Sequence, residues 1–367
     1  MRAVVTGATG FLGGHVARQL AERGDDVVAT YRNPERLPRL RSIHVDSVRA
    51  DVLDRGALRR AMRGADAVFH TAGYVGSRPV DRVFQLNALA PRLVIEAAAA
   101  EGVARVILTS SVAAVGPAAP GEVATENSVY RGDNAYGDSK HEGEAEAFAA
   151  GARLEIEVIA VEPSYVLGVP LDRSQPGETS TRIVGNYLAG RLPGIVDGGG
   201  TNIVDVDDVA RGHLLAHDRG RPGERYILGG VNLGWVELID RIADLSGIHH
   251  PIAVLPAEAA TLARAQAALH LPGLIAPEGL LLMAANWRAS SQKARKELRY
   301  RSRPLETTLQ ETIDWYLELI DRGVFAGRRV SPLSLAAGGM RVAQQLGLTR
   351  GLHAVERYAG RRLVAGA

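Results

Sequence analysis

The first strand-like run of the chain, Ala3-Val4-Val5-Thr6, passes directly into Gly7-Ala8-Thr9-Gly10-Phe11-Leu12-Gly13, and an amphipathic pattern starts at once. Glycines spaced G-x-x-G-x-x-G between a strand and a helix are a variant of the turn that brings backbone N–H groups up to a dinucleotide pyrophosphate. Gly7 permits the tight turn, Gly10 lets the backbone approach the phosphates, and Gly13 lets the helix pack against the strand. The partial positive charge at the helix N-terminus adds to the attraction. Gly7, Thr9, Gly10, Phe11, Leu12 and Gly13 are therefore the expected phosphate-binding segment.

The next 150 residues keep the alternation that a parallel sheet with crossover helices requires. Strands are expected at Ala3–Thr6, Val27–Tyr31, His44–Ala50, Ala67–Thr71, Arg105–Thr109 and Glu157–Val161, and helices at Phe11–Arg23, Arg55–Arg63, Asp81–Glu101 and Ala135–Ala152. Beyond Pro163 come loops rich in Gly and Pro, Leu188–Gly200 above all, and helical runs at Val206–Arg219, Leu233–Ser246, Glu258–Leu269, Ser291–Leu298 and Leu305–Arg322, with a strand-like Arg225–Leu228 among them. The expected fold is α/β. A Rossmann-type doubly wound parallel sheet spans residues 1–162, and a smaller, mostly helical substrate lobe spans 163–322, from which the chain can re-enter the sheet. A basic amphipathic extension covers 323–367.

Composition narrows the chemistry. The 367 residues contain no cysteine, which excludes disulfides, thiolate metal sites and cysteine nucleophiles. A net charge of +2 argues against a nucleic-acid partner. That figure conceals an asymmetry: residues 323–367 hold seven arginines against the single acid Glu356, a local charge of +6, which leaves −4 for the rest. Leu352, Val355, Tyr358, Ala359 and Leu363 recur there at helical spacing opposite the arginines. The pattern fits a solvated helix packed on the body, or an interface with an acidic partner or an anionic membrane surface. The apolar stretch Ala259–Ala285 is interrupted by Arg264, Gln266, His270, Pro272, Pro277 and Glu278, short of the roughly 20 clean apolar residues of a spanning helix. With no secretory leader visible at the N-terminus, the expectation is a cytoplasmic protein. His213 and His217 stand four apart on a helix without the Glu or third ligand of a zinc site, and His249-His250 read as loop residues, so no metal is expected.

The second strand ends in Tyr31-Arg32-Asn33-Pro34. NAD-binding versions of this unit place an acid near that point, roughly 20 residues beyond the glycines, to hold the adenosine ribose. Here Asp25 and Asp26 precede the strand, and Arg32 offers a guanidinium to a 2′-phosphate. NADP(H) is therefore favoured over NAD(H). Asp51-Val52 is placed to contact the adenine, and small residues in Thr71-Ala72-Gly73, after the next apolar strand, let the backbone approach the cofactor.

Asn134-Ala135-Tyr136-Gly137-Asp138-Ser139-Lys140 puts Tyr136 and Lys140 four apart, hence on one helix face. A carbonyl that accepts a hydride must also accept a proton, and a phenol donates it when a neighbouring ammonium stabilises the phenolate. The chain writes 40 of its 43 basic residues as arginine, so a lysine at this spacing stands out. Ser110 and Ser111, at the end of the strand Arg105–Thr109, supply a hydroxyl to hold the substrate oxygen, and Ser111 is preferred to Ser110.

TGATGFLG, SSVAAVG and YGDSK, in that order, resemble the extended short-chain dehydrogenase/reductases of the NAD-dependent epimerase/dehydratase group. The resemblance covers about residues 1–322 and is strongest to dihydroflavonol 4-reductase-like proteins and hopanoid-associated sugar epimerases. It implies a bound nicotinamide cofactor, the catalytic roles of Ser111, Tyr136 and Lys140, and a site-bordering Asn87; Tyr136 and Lys140 also touch the cofactor. In the Pro163-Ser164-Tyr165-Val166 loop, Pro163 and Val166 are expected on the cofactor and Tyr165 on the substrate. Val112-Ala113 stands where the dehydratases carry an Asp-Glu pair, and Thr201, a further substrate candidate, stands where nucleotide-sugar enzymes carry a diphosphate-binding arginine. The expected activity is NADP(H)-dependent reduction of a ketone or aldehyde of a small or hydrophobic substrate to an alcohol. The alternatives are a sugar or nucleotide-sugar epimerase with retained cofactor and a catalytically silent cofactor-sensing protein. A homodimer is compatible with this family and not required by the sequence.

Overall fold

In the computed structural model the described residues are 1–367 except 133, 178–179, 262–276, 326–331, 360 and 367. Most of the helix expected at Glu258–Leu269 thus lies outside the described residues, as does much of Ala259–Ala285. Seven parallel strands form the main sheet in the order β10-β6-β5-β4-β1-β2-β3. They are β1 (Arg2–Thr6), β2 (Asp26–Tyr31), β3 (Asp46–Arg49), β4 (Ala67–His70), β5 (Arg105–Thr109), β6 (Glu157–Pro163) and β10 (Arg225–Leu228). Strand order reverses about β1, whose Val4 lies opposite Val28 of β2 on one side and Val68 of β4 on the other. A doubly wound sheet opens its ligand crevice at such a reversal, beyond the carboxyl ends of the strands.

Both faces of the sheet are covered, which is why its strands read as nearly continuous apolar runs. One face packs Val16, Ala17 and Leu20 of α1 (Phe11–Glu22) with Val209, Ala210 and Leu214 of α8 (Val206–Arg219). The other packs Leu58 and Met62 of α2 (Arg55–Met62), Val94 and Ile95 of α4 (Ala90–Ala100), and Ala147 and Ala150 of α6 (Ala135–Leu154). A separate core built on Tyr187, Trp235, Ile239, Leu309, Trp315 and Tyr316 fills the C-terminal lobe.

Several expected elements are corrected. The single helix expected over Asp81–Glu101 is instead α3 (Val80–Phe84), a π-turn (Gln85–Leu89) and α4. Pro91 has no N–H to give the Asn87 carbonyl one turn back, so the ladder widens there. That carbonyl instead faces Gly143 of α6, where a Cβ would lie 2.0 Å from it. The loop expected over Leu188–Gly200 contains β8 (Gly194–Val196), and Leu233 belongs to β11 (Val231–Leu233) rather than to the helix that follows it. With β7 (Tyr165–Leu167), β9 (Thr201–Asp205), β12 (Ile252–Leu255) and β13 (Val364–Ala365), these strands form two three-stranded sheets, β11-β9-β7 and β13-β12-β8. Among the described residues, no helix is long and apolar enough to cross a membrane.

Candidate active site

The glycine turn is locked from both sides. Gly7 has a left-handed backbone (φ +71°), and a Cβ there would lie 2.7 Å from Ala72 Cα. At Gly13 a Cβ would lie 2.4 Å from both Gly7 O and Thr71 Oγ1. Thr71 Oγ1 donates to Thr6 O at 2.6 Å and Ala72 N to Thr6 Oγ1 at 3.4 Å, so the segment after β4 is tied to the end of β1. The N-cap of α1 is Gly10, whose missing side chain leaves the first-turn N–H groups without a side-chain cap. Thr9 is buried in the turn, and Phe11 and Leu12 open the helix half-buried. These features suit a pyrophosphate: bare backbone donors, no Cβ in the way and a helix dipole behind them.

Arg32 is exposed just past β2. The next residues, which the sequence reading did not single out, form a 3₁₀ helix (Pro34–Leu40) capped by Asn33, whose Oδ1 accepts from Glu35 N at 3.0 Å. The turn swings Arg39 back over the glycines, and its Nη1 donates to Thr9 O at 3.3 Å. Asp25 and Asp26 sit at the opposite end of β2, engaged with the N-terminal amine, Arg23 and Arg2. The Asp51 carboxylate accepts from Leu53 N at 3.0 Å in a local turn, while Val52 is buried under the sheet.

Asn134 caps α6 by accepting from Gly137 N at 2.9 Å, which fixes where the helix begins and so where Tyr136 and Lys140 point. Ser111 caps the short helix α5 (Val112–Val115), with its Oγ accepting from Ala113 N at 3.1 Å. The Ser111 hydroxyl also lies near the Tyr136 phenol. Ser110, by contrast, buries its hydroxyl and has no partner among the described residues. Lys140 Nζ donates to Thr109 O at 3.1 Å and lies where a Cβ on Gly73 would come within 3.3 Å of it. Asn87 is saturated: Oδ1 accepts from Tyr74 N at 2.8 Å, while Nδ2 donates to Tyr74 O at 2.9 Å and to Ser139 Oγ at 3.1 Å. It positions the cofactor-side loop against α6, a role the π-turn makes available.

Burial raises the Tyr136 phenol above its ordinary pKa, and the nearby Ser111 hydroxyl opposes that rise. Burial lowers Lys140 to about 8, opposed by the Glu144 carboxylate one turn along. His70, at the end of β4, is lowered to about 3 by burial and then by Lys140, so it is a neutral imidazole whose Nδ1 lies 2.7 Å from Thr6 Oγ1. The arrangement is a half-buried phenol near a hydroxyl, with a buried ammonium one turn along the same helix, able to give a proton to an oxygen held by Ser111. Its surroundings are apolar: the Tyr136 ring packs against a cluster containing Val112, Val115, Ile227 and Trp287.

The remaining candidates lie in the lobe. Pro163 is buried at the end of β6 opposite Leu228, and Val166 O accepts from Ser180 Oγ. Tyr165 donates its hydroxyl to Ser180 O at 3.1 Å, with its ring edge-on to Trp235. Thr201 is buried in β9 opposite Leu233, away from solvent. His213 is a core residue, with Nδ1 2.8 Å from Val209 O and Nε2 2.7 Å from Thr109 Oγ1.

The sequence profile of the NAD dependent epimerase/dehydratase family matches residues 3–229. A putative dihydroflavonol 4-reductase of Synechocystis sp. is 31% identical, covering 85% of this chain and 93% of its own. Cinnamoyl-CoA reductase 1 of Oryza sativa subsp. japonica is 33% identical over 66% of this chain and 75% of its own. Among solved structures, a nucleoside-diphosphate-sugar epimerase of Pseudomonas aeruginosa is 31% identical and superimposes with a TM-score of 0.73, over 89% of this chain and 99% of that one.

Proposed function

Because the chain belongs to the NAD dependent epimerase/dehydratase family, we propose that it is an NADP(H)-dependent reductase that converts a ketone or aldehyde of an apolar substrate to an alcohol. The observation that carries this reading is the Ser111–Tyr136–Lys140 cluster set in an apolar wall. Gly7, Gly10 and Gly13 would hold the pyrophosphate, with Thr9 to Leu12 around it and the loop Thr71 to Gly73 beside the dinucleotide. The bound dinucleotide supplies the hydride. Ser111 donates to the carbonyl oxygen and keeps it beside the phenol, Tyr136 gives that oxygen its proton, and Lys140 stabilises the phenolate that remains.

NADP(H) preference rests on the acid-free end of β2 and on the guanidinium of Arg39 at the glycine turn, with Arg32 exposed beside it. Two arginines, with no acid at the end of β2 itself, suit a 2′-phosphate better than bare ribose hydroxyls. The reductase names of the two relatives support the direction of the reaction. A second reading, an epimerase that oxidises and re-reduces one carbon with retained cofactor, is favoured by the likeness to the Pseudomonas aeruginosa epimerase. Following NADPH absorbance over a panel of aromatic and aliphatic ketones, aldehydes and UDP-sugars separates the two. Net NADPH consumption with an apolar carbonyl is the expected result. Sugar interconversion without net consumption overturns the reductase reading.

A further inference from the structure

The C-terminal segment carries an amphipathic pattern turned the wrong way for a helix that merely packs on the body. Helices Pro332–Gln345 and Leu348–Ala359 are joined at Gly347, whose backbone is left-handed (φ +74°). In the second helix the buried positions among the described side chains are Thr349 and Glu356, two turns apart on one face. Glu356 accepts from Leu363 N at 2.6 Å and Val364 N at 2.8 Å, which ties the helix to β13 and hence to β12. Leu348, Leu352 and Val355, at i, i+4 and i+7, form a different stripe. Leu348 is 58% exposed and Val355 50%. Across the turn, Val342 and Leu346, also four apart, are 53% and 70% exposed. Four large aliphatic side chains therefore face solvent around one hairpin, while a carboxylate and a threonine face inward.

We propose that this hairpin is a peripheral anchor that lies on an anionic lipid surface. Charge selects that occupant. Seven arginines stand against one acid in residues 323–367, and that acid is the one turned inward. Arg350 and Arg361 are exposed and in no ion pair among the described residues. An aliphatic face with arginine across the helix from it and no outward carboxylate is the composition of a helix that rests at the headgroup boundary. A second copy of the chain would bring arginine against arginine. A protein interface of this kind is enriched in aromatic anchors, and none of the exposed large apolar side chains described is aromatic. The anchor is independent of the reaction catalysed.

Co-sedimentation of the full chain with vesicles tests this. The protein should pellet with phosphatidylcholine vesicles containing phosphatidylglycerol, stay in solution with phosphatidylcholine alone, and be released by about 0.5 M NaCl. The double variant Leu348→Ser/Val355→Ser should lose roughly 10-fold or more of that binding while its NADPH binding and melting curve match the parent. In a Val355→Trp variant, tryptophan emission should shift to the blue on adding the anionic vesicles alone. Three results overturn the proposal: no pelleting with anionic vesicles, equal binding to neutral ones, or a particle mass by light scattering that falls in the double variant, which makes the stripe a self-association surface.

Discussion

Replacing Arg225 by methionine should destabilise the fold in a pH-dependent way, because this side chain is the cation that serves a buried carboxyl cluster behind Lys140. Arg225 reaches from β10 with Nη1 3.2 Å from Glu144 Oε2 and 3.4 Å from Glu162 Oε1, while Glu126 takes Ile227 N at 2.8 Å nearby. Glu162 is fully buried in β6, and Glu144 sits on α6 one turn beyond Lys140. Burial first, and then the Glu144 carboxylate, raise the Glu162 carboxyl well above its ordinary value, against the pull of Arg225. At an effective dielectric constant of about 20, a unit pair at these separations is worth roughly 5 kcal/mol before desolvation. Removing one partner leaves the others buried and uncompensated, a net loss of about 3–5 kcal/mol. Spread over the melting entropy of 367 residues, about 2 cal/mol/K each, this lowers the melting temperature by roughly 4–7 °C.

Urea unfolding at about pH 7.5 and about pH 5 is the assay, since the cost should shrink as the carboxyls take up protons. Glu162→Gln supplies the control with the opposite sign. A folded-state value above the unfolded one, about 4.3, means that the protonated acid supports the native state fully below that pH. That support is lost as pH rises toward the folded value. Glu162→Gln should therefore be more stable than the parent near neutrality, by a margin that fades toward pH 4, and should recover part of the Arg225→Met loss. An Arg225→Met cost under about 1 kcal/mol at neutral pH, or one that does not shrink at pH 5, refutes the argument.

Three functional predictions follow from the same geometry. Tyr136→Phe keeps the ring packing and removes the proton donor, so kcat should fall by about 10²–10⁴ with NADPH affinity retained; unchanged turnover removes Tyr136 from the chemistry. Lys140 works as an ammonium and is lowered to about 8, so kcat/KM should hold below that pH and fall above it, and a flat profile to pH 10 contradicts that role. Arg39→Ala should weaken NADPH binding by roughly 10-fold, the value of one charge-assisted contact, and leave NADH binding little changed; an equal loss for both coenzymes makes Arg39 a structural strut.

Much of the sheet was legible because long β-branched runs and regular helices announce themselves by period. Arg105–Thr109, Arg225–Leu228 and Val206–Arg219 have in the structure the bounds their patterns suggest. The short strands were not legible, since two or three residues such as Gly194–Val196 or Val364–Ala365 are too few for alternation to show. Pro91 was a visible signal that the helix carrying Asn87 is interrupted, but its effect depends on Gly143 of α6 receiving the freed carbonyl, a contact between residues 56 positions apart. Arg39 was hidden for a different reason. A run of prolines and arginines after a strand reads as loop, and only the 3₁₀ turn folds it back onto Thr9.

The use of lysine at position 140 follows from the same physics. A guanidinium stays charged at any accessible pH and spreads its charge over a planar fork, whereas an ammonium is a compact charge on a flexible stem that can donate in three directions. The space beside Gly73 is narrow: a methyl group there would stand 3.3 Å from Nζ and 3.1 Å from Asn87 Oδ1. Nζ already gives one hydrogen to Thr109 O, which leaves donors for the ligands on either side. Burial brings Lys140 to about 8, close enough to neutrality for the group to hold or release a proton. Glu144, itself anchored by Arg225, opposes that fall. The buried carboxyls and Lys140 are thus one electrostatic unit, and an arginine in place of Lys140 would be too wide for the gap beside Gly73.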